Sequence, residues 1–263
     1  MEVIARDAST VVLMRDRDEG AGPPEVLLMR RHAKANFGAG AYVFPGGMLE
    51  PQDYSPDVLA LASGMSVAEA AREMPDVQPA ERALGLRIAA FRETFEEAGA
   101  LLGRRQNGDW FHPSGEEARL MQSARDDEDY YALVRQLGLR LPMDNLVYFG
   151  HWITPVCRPV RFDTRFFLLP VTEHLDAMPD HQEVFDDKWV TPAEAVEQQA
   201  RGELRLMNPT LVNLSWLAAY GSTMEAVEAL REKTVETIMP RVVTMPDGRE
   251  RIIQPWDEDY AQA

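Results

Sequence analysis

The sequence predicts an α/β architecture, a mixed β-sheet sandwiched between helices in one main domain. Three observations carry this expectation. Apolar runs of strand length alternate with amphipathic helical segments along the 263 residues. One long helix shows a continuous core-facing stripe. No internal repeat or low-complexity linker interrupts the chain.

The elements follow in order. Residues 9–15 ("STVVLMR") and 25–30 ("EVLLMR") read as strands around a polar loop with Gly and Pro. "AYVFPGGM" is a third strand ending in a glycine turn. Residues 54–80 are Ala-rich and acidic, with a short helix at "SVAEAAREM" capped by Ser66. A long helix is expected from about Pro79 to Leu102, then a polar turn region over 103–115, then a helix at "EDYYALVRQLGL". "NLVYFGHWITP" and "TRFFLLPVT" are strands. "KWVTPAEAVEQQARG" is a strand end followed by a helix, with Thr191 as N-cap and Pro192 at the first position. Two more amphipathic helices follow at "NPTLVNLSWLAAYG" and "TMEAVEALREK". In the tail, Asp247-Gly248 between two β-rich runs signals a hairpin, one that could pair across a homodimer.

Composition excludes several classes. The chain is 45% hydrophobic and 27% charged, as a globular protein is. Its formal net charge of −16 disfavours a nucleic-acid partner. A small anionic substrate would need local cations, either Lys and Arg or a metal. No apolar run approaches the roughly 18 residues that span a bilayer, and the N-terminus lacks the pattern of a signal peptide. Cys157 is the single cysteine, so no internal disulfide can form, which fits a cytoplasmic location. It is expected as a small half-buried strand residue rather than a nucleophile.

The long helix holds the chemistry. With Leu84 at zero and 100° per residue, Ile88, Phe91, Phe95 and Ala98 fall within roughly 40° of it. Glu93 and Glu97 fall at about 180° and 220°, and Glu96 near 120°. The three carboxylates share the face opposite the stripe. Such a face can be solvated, or it can be a cage for a hard divalent cation, whose preferred ligands are carboxylate oxygens. Upstream, "FPGGMLEPQD" contains Pro45-Gly46-Gly47, a tight turn that leaves backbone carbonyls open.

Taken together, the two segments resemble the signature of the Nudix hydrolases: Gly, five residues, an acid, seven residues, then Arg-Glu, two residues, Glu-Glu, one residue, Gly. Gly47 is followed by five residues and Asp53, and Arg92-Glu93-Thr94-Phe95-Glu96-Glu97-Ala98-Gly99 supplies the second half. Asp53 stands where Glu is more usual, and Thr94 where an aliphatic residue is. The 38 residues between Asp53 and Arg92 exceed the usual seven by 31, which marks 54–84 as an insertion. An insertion of this kind resembles the peroxisomal-type coenzyme A diphosphatases and their bacterial relatives. "LLMRRHAKANFGAGAYVFPGG" keeps the spacing of that branch's coenzyme A signature at Leu27, Leu28, Arg31, Gly40 and Phe44. It departs at Met29, His32 and Asn36, with Lys34 as an electrostatic stand-in. The resemblance runs from about residue 9 to 220. We therefore expect a Nudix fold over 1–220 and a C-terminal helix and hairpin extension over 221–263.

The resemblance implies hydrolysis of a diphosphate linkage with Mg2+ or Mn2+. Glu93 and Glu97 would be the main ligands, Glu96 a further or water-mediated one, and the Gly47 carbonyl another. Arg92 would hold Asp53 or a glutamate in place. For the general base the candidate is Glu183, with Asp186, Asp187 and Glu93 as competitors. Arg30, Arg31, Lys34 and Gly46 would contact substrate. Arg161 or Arg165 could reach a phosphate, and Trp152 or Phe166 could stack on adenine, though core packing is the commoner fate of such aromatics. His32 and His151 are expected as packing or surface residues. The expected substrate is coenzyme A or acyl-CoA, cut to 3',5'-ADP and a phosphopantetheine. The alternatives are a hydrolase of ADP-ribose, dinucleoside polyphosphates or nucleotide sugars, and a catalytically weak binding module.

Overall fold

The computed structural model describes residues 3–17, 22–32, 38–126, 130–171 and 184–262. The chain runs β1 (Arg6–Arg15), β2 (Glu25–Arg31), β3 (Tyr42–Val43), β4 (Gly46–Met48), a 3-10 turn (Pro51–Tyr54), α1 (Pro56–Leu59), β5 (Ala62–Ser63), α2 (Val67–Glu73) and α3 (Glu81–Ala98). Then come α4 (Gly115–Asp126), α5 (Tyr130–Gln136), β6 (Leu141–Pro142), β7 (Val147–Ile153), β8 (Phe162–Pro170) and β9 (Val184–Val190). The chain closes with α6 (Pro192–Ala200), α7 (Asn208–Leu217), α8 (Thr223–Arg231), β10 (Thr237–Ile238), β11 (Arg241–Thr244) and β12 (Glu250–Ile253).

A mixed sheet is ordered β10-β7-β8-β1-β2-β3, with β4 also pairing β1 and β9 also pairing β2. β1 and β8 run parallel over nine pairs. Period-two alternation sends successive side chains to opposite faces. Val11, Leu13, Leu27, Met29, Phe167 and Leu169 pack into the core under α3. Val12, Met14, Val26, Leu28, Phe166 and Leu168 pack with residues of α6, α7 and α8 on the other side. The result is the expected layered α/β/α arrangement.

One register row crosses the sheet. Gly47 pairs with Ser9, Ser9 with Arg165, Arg165 with His151, and His151 with Thr237. Ser9 donates to the Leu86 carbonyl of α3 at 2.5 Å, so this row lies under the helix.

The insertion is part of the main core. Val58, Leu61, Ala70, Met74 and Val77 are buried in the α3-side cluster. Ser66 caps α2 by accepting from the Glu69 amide, and the Glu69 side chain returns to the Ser66 amide. Two arginines clamp the region. Arg87 of α3, fully buried, pairs with Glu73 and donates to the Met143 and Leu146 carbonyls at 3.2 and 2.8 Å. Arg165, equally buried, pairs with Asp76 at 2.5 Å and with Asp163.

Several expectations shift. The third strand is two short ones, β3 and β4. The long helix stops at Ala98, because Gly99 takes a left-handed φ of 69° and donates to the Phe95 carbonyl at 2.8 Å. α4 and β10 are elements that the sequence pattern does not announce. α8 packs on β7, and β10 extends the sheet beside it, so both join the main layer. The β11–β12 hairpin forms around Asp247-Gly248 as expected. Cys157 is exposed rather than half-buried.

Candidate active site

The carboxylate face of α3 is not a solvated one. β4, the turn at Pro51–Tyr54 and α5 cover it. Glu97 is 9% exposed, and the Glu93 side chain 12%. Glu96 is the most open, its side chain 32% exposed. Thr94, buried on the same helix, satisfies its hydroxyl by donating to the Ala90 carbonyl at 2.7 Å.

Both glycines of the turn are required by close approach. A side chain on Gly47 would occupy the space of the Glu93 carboxylate, and one on Gly46 would meet the backbone of Ser9 and Thr10. The Gly46 amide donates to Glu97 Oε2 at 2.9 Å, which joins the two halves of the motif. The β1–β4 ladder decides which carbonyl faces the glutamates. Val11 donates to the Pro45 carbonyl and Leu49 to the Asp7 carbonyl. By alternation Ser9 and Gly47 form the hydrogen-bonded pair between them. The Gly47 carbonyl therefore turns to β1, and the Gly46 carbonyl shares the Glu97 side with its own amide. The carbonyl open toward the glutamates is therefore that of Gly46, whereas the expected one, Gly47, is turned into the sheet.

Arg92 organises the rest. Its Nε and Nη2 donate to Asp53 Oδ1 and Oδ2 at 2.9 and 3.1 Å. Its Nη1 donates to Glu93 at 2.8 Å and Glu96 at 2.7 Å, and Nη2 also donates to the Met48 carbonyl at 2.9 Å. Asp53 is wholly buried and additionally accepts from the Glu50 amide at 2.7 Å and from the Tyr131 hydroxyl of α5. Tyr131 is a site residue that sequence reasoning passed over; its partner lies 78 positions away, so no local signal announces it.

Asp53, Glu93 and Glu96 thus gather around one guanidinium, while Glu97 is held by the Gly46 amide. Burial pushes the Glu93 carboxyl up to about 7; Arg92 pulls against this and Glu96 adds to it. Burial likewise raises Glu96. Such a donor set, three glutamates and an open backbone carbonyl, fits a hard divalent cation.

A second cluster does not. Asp76, His151 and Asp163 bring ligand atoms within 4.8 Å of one another. Arg165 already bonds both carboxylates. His151, 4% exposed, contacts Asp163 at 2.6 Å and Thr237 at 2.8 Å. The group is an ion-paired brace with its own cation. Arg161 is also engaged internally, donating to the Thr154 and Val3 carbonyls at 2.9 and 2.7 Å. Neither arginine is presented to a phosphate. Trp152 and Phe166 are buried in the core.

Of the residues expected to contact substrate, Arg30 is exposed with its guanidinium 5.9 Å from the Tyr42 ring centre, and Arg31 is half-buried beside Gly38. Lys34 and Glu183 lie outside the described residues, as does the side chain of Asp186. Asp187 is directly opposite Met29 and so shares the α3 face of the sheet.

With this geometry in hand, comparison with known proteins is decisive about the family. The model of the NUDT19 Nudix domain matches residues 5–217. The chain belongs to the Nudix hydrolase family, in the group that this domain defines. The chicken (Gallus gallus) acyl-coenzyme A diphosphatase NUDT19 is 30% identical over 90% of this chain and 73% of its own length. The human protein of the same name is 28% identical over 98% and 80%. Among solved structures, a NUDIX hydrolase from Alicyclobacillus acidocaldarius superposes with a TM-score of 0.70 at 27% identity, over 87% of this chain and 97% of that one.

Proposed function

We propose that this chain hydrolyses the diphosphate of coenzyme A and acyl-CoA, releasing 3',5'-ADP and a phosphopantetheine, with Mg2+ or Mn2+ held at α3. The observation that carries the metal reading is the gathering of three carboxylates, Asp53, Glu93 and Glu96, around Arg92, with Glu97 one helical turn from Glu93 and tied to the Gly46 amide. The substrate reading draws on the two NUDT19 relatives, named for acyl-CoA.

In this reading Glu93 and Glu97 would hold the cation, with Glu96 and the Gly46 carbonyl as further oxygen donors. When bound, the cation neutralises the diphosphate oxygens and makes water more acidic. Arg92 would keep Asp53, Glu93 and Glu96 in register for the cation. Glu183 takes the proton of the attacking water, with Asp187 as the competitor on the α3 face. Arg30, Arg31 and Lys34 supply positive charge for the substrate phosphates. A cytoplasmic enzyme is consistent with the single cysteine.

The test is incubation with acetyl-CoA, ADP-ribose and diadenosine polyphosphates plus Mg2+ or Mn2+. Release of 3',5'-ADP from acetyl-CoA is expected. Release of AMP from the other substrates alone would sink the coenzyme A assignment, and no metal-dependent release from any would sink the enzyme.

A further inference from the structure

We propose that Tyr131 is a positioning residue for the metal-binding carboxylates: by donating to Asp53 it fixes the Arg92 guanidinium, and through Arg92 it orients Glu93 and Glu96. The proposal rests on the reading of those glutamates as ligands.

The chain of contacts is continuous. Tyr131 is 2% exposed, and its ring packs edge-on against Tyr130, which in turn packs against Phe95 of α3. Its hydroxyl reaches Oδ1 of Asp53, the oxygen that also accepts from Arg92 Nε. The other oxygen takes Arg92 Nη2 and the Glu50 amide. Each carboxylate oxygen is thereby held by two donors, and the Asp53 carboxylate plane cannot turn. A guanidinium gripped by a fixed carboxylate along its Nε–Nη2 edge presents Nη1 in one direction. That Nη1 holds both Glu93 and Glu96. Asp53 is one methylene shorter than the glutamate usual at this position, and a donor from outside the motif pins it. Losing the hydroxyl frees one lone pair of Oδ1 and lets Asp53 rotate. Arg92 tilts with it, and the two glutamates lose their shared anchor.

Tyr130 is the built-in comparator. It is as buried as Tyr131, but its hydroxyl has no hydrogen-bond partner among the described residues.

The experiment measures Mn2+ affinity by electron paramagnetic resonance, alongside kcat and KM for acetyl-CoA, in the full chain. Tyr131→Phe is expected to weaken Mn2+ binding and lower kcat by about 10- to 100-fold, the effect typical of residues that orient metal ligands. KM should change by less than about two-fold, since the hydroxyl touches no substrate in this scheme. Tyr130→Phe should leave both values at wild type. In an Asp53→Ala background, which leaves the Tyr131 hydroxyl no side-chain acceptor at that position, Tyr131→Phe should add little further loss. Wild-type Mn2+ affinity and kcat in Tyr131→Phe would overturn the proposal; so would equal losses in Tyr130→Phe, or full additivity with Asp53→Ala. Melting temperature separates a folding defect from a positioning one; Mn2+ loss that merely tracks melting across the variants would overturn it too. A wild-type chain that binds no Mn2+ would remove the metal reading and this proposal together. Loss of binding in Glu97→Gln but not in Tyr131→Phe would remove this proposal alone.

Discussion

At Glu97 one hydrogen bond and the proposed ligand role can be separated. Gln in its place keeps an oxygen to accept from the Gly46 amide but carries no charge. Glu97→Gln should therefore melt near wild type, while kcat falls by at least about 100-fold, equivalent to roughly 2.7 kcal/mol of transition-state stabilisation. Turnover at the wild-type rate would remove Glu97 from the ligand set. Glu93 gives a pH signature. Its carboxyl lies near 7 instead of 4.5, raised by burial. A carboxyl raised in the folded state contributes stability that is fully present below about 4.5 and is lost as pH rises through about 7. The metal-free melting temperature should fall over that window on this account, and the added stability from Mg2+ should grow, since the cation binds the ionised form. Melting curves with and without Mg2+ from pH 5 to 8 check this; a constant gap would contradict it.

At the scale of elements, the insertion is fastened by unequal clamps. Removing Glu73 leaves Arg87, a fully buried cation, with the Met143 and Leu146 carbonyls as acceptors and no carboxylate partner among the described residues. Removing Asp76 leaves Arg165 paired with Asp163. Glu73→Ala should cost about 2 kcal/mol and Asp76→Ala under about 1 kcal/mol, because an uncompensated buried charge is the dearer loss and both acids are part-exposed. Urea midpoints decide the order, and the reverse order would show that the clamps are not the fasteners. These same elements show what sequence could disclose. The stripe of α3 was legible because one face of one helix suffices. The cover over its opposite face was not, because a helical wheel sees one element and the cover comes from β4, the Pro51–Tyr54 turn and α5. α4 stayed unassigned because its pattern is mostly polar; of its apolar residues only Met121 is buried among those described. Ser66 and Thr191 were legible as caps because capping is local. Tyr131 was not, because its bond spans the chain.

For the molecule as a whole, a net charge of −16 repels an anionic substrate at distance. Raising salt from low to physiological concentration at fixed free Mg2+ should increase kcat/KM, as screening weakens that repulsion over a Debye length of about 8 Å. A decrease would show that the local arginines dominate the approach. Domain-scale layering was readable from alternating elements. The carbonyl assignment at Gly46 was not, since it depends on ladder register.

The two half-motifs meet only across the 38 residues that separate Asp53 from Arg92. Compared with a seven-residue connection this is a little over two doublings of loop length, which raises the entropic cost of closure by about 1.5 kcal/mol. Val58, Ala70, Met74 and Val77, buried under α3, offset that cost. The active-site geometry is consequently hostage to the folding of a segment that contributes no ligand. A lesion there should unhook Asp53 from Arg92 while the sheet persists, so inactivation would precede unfolding.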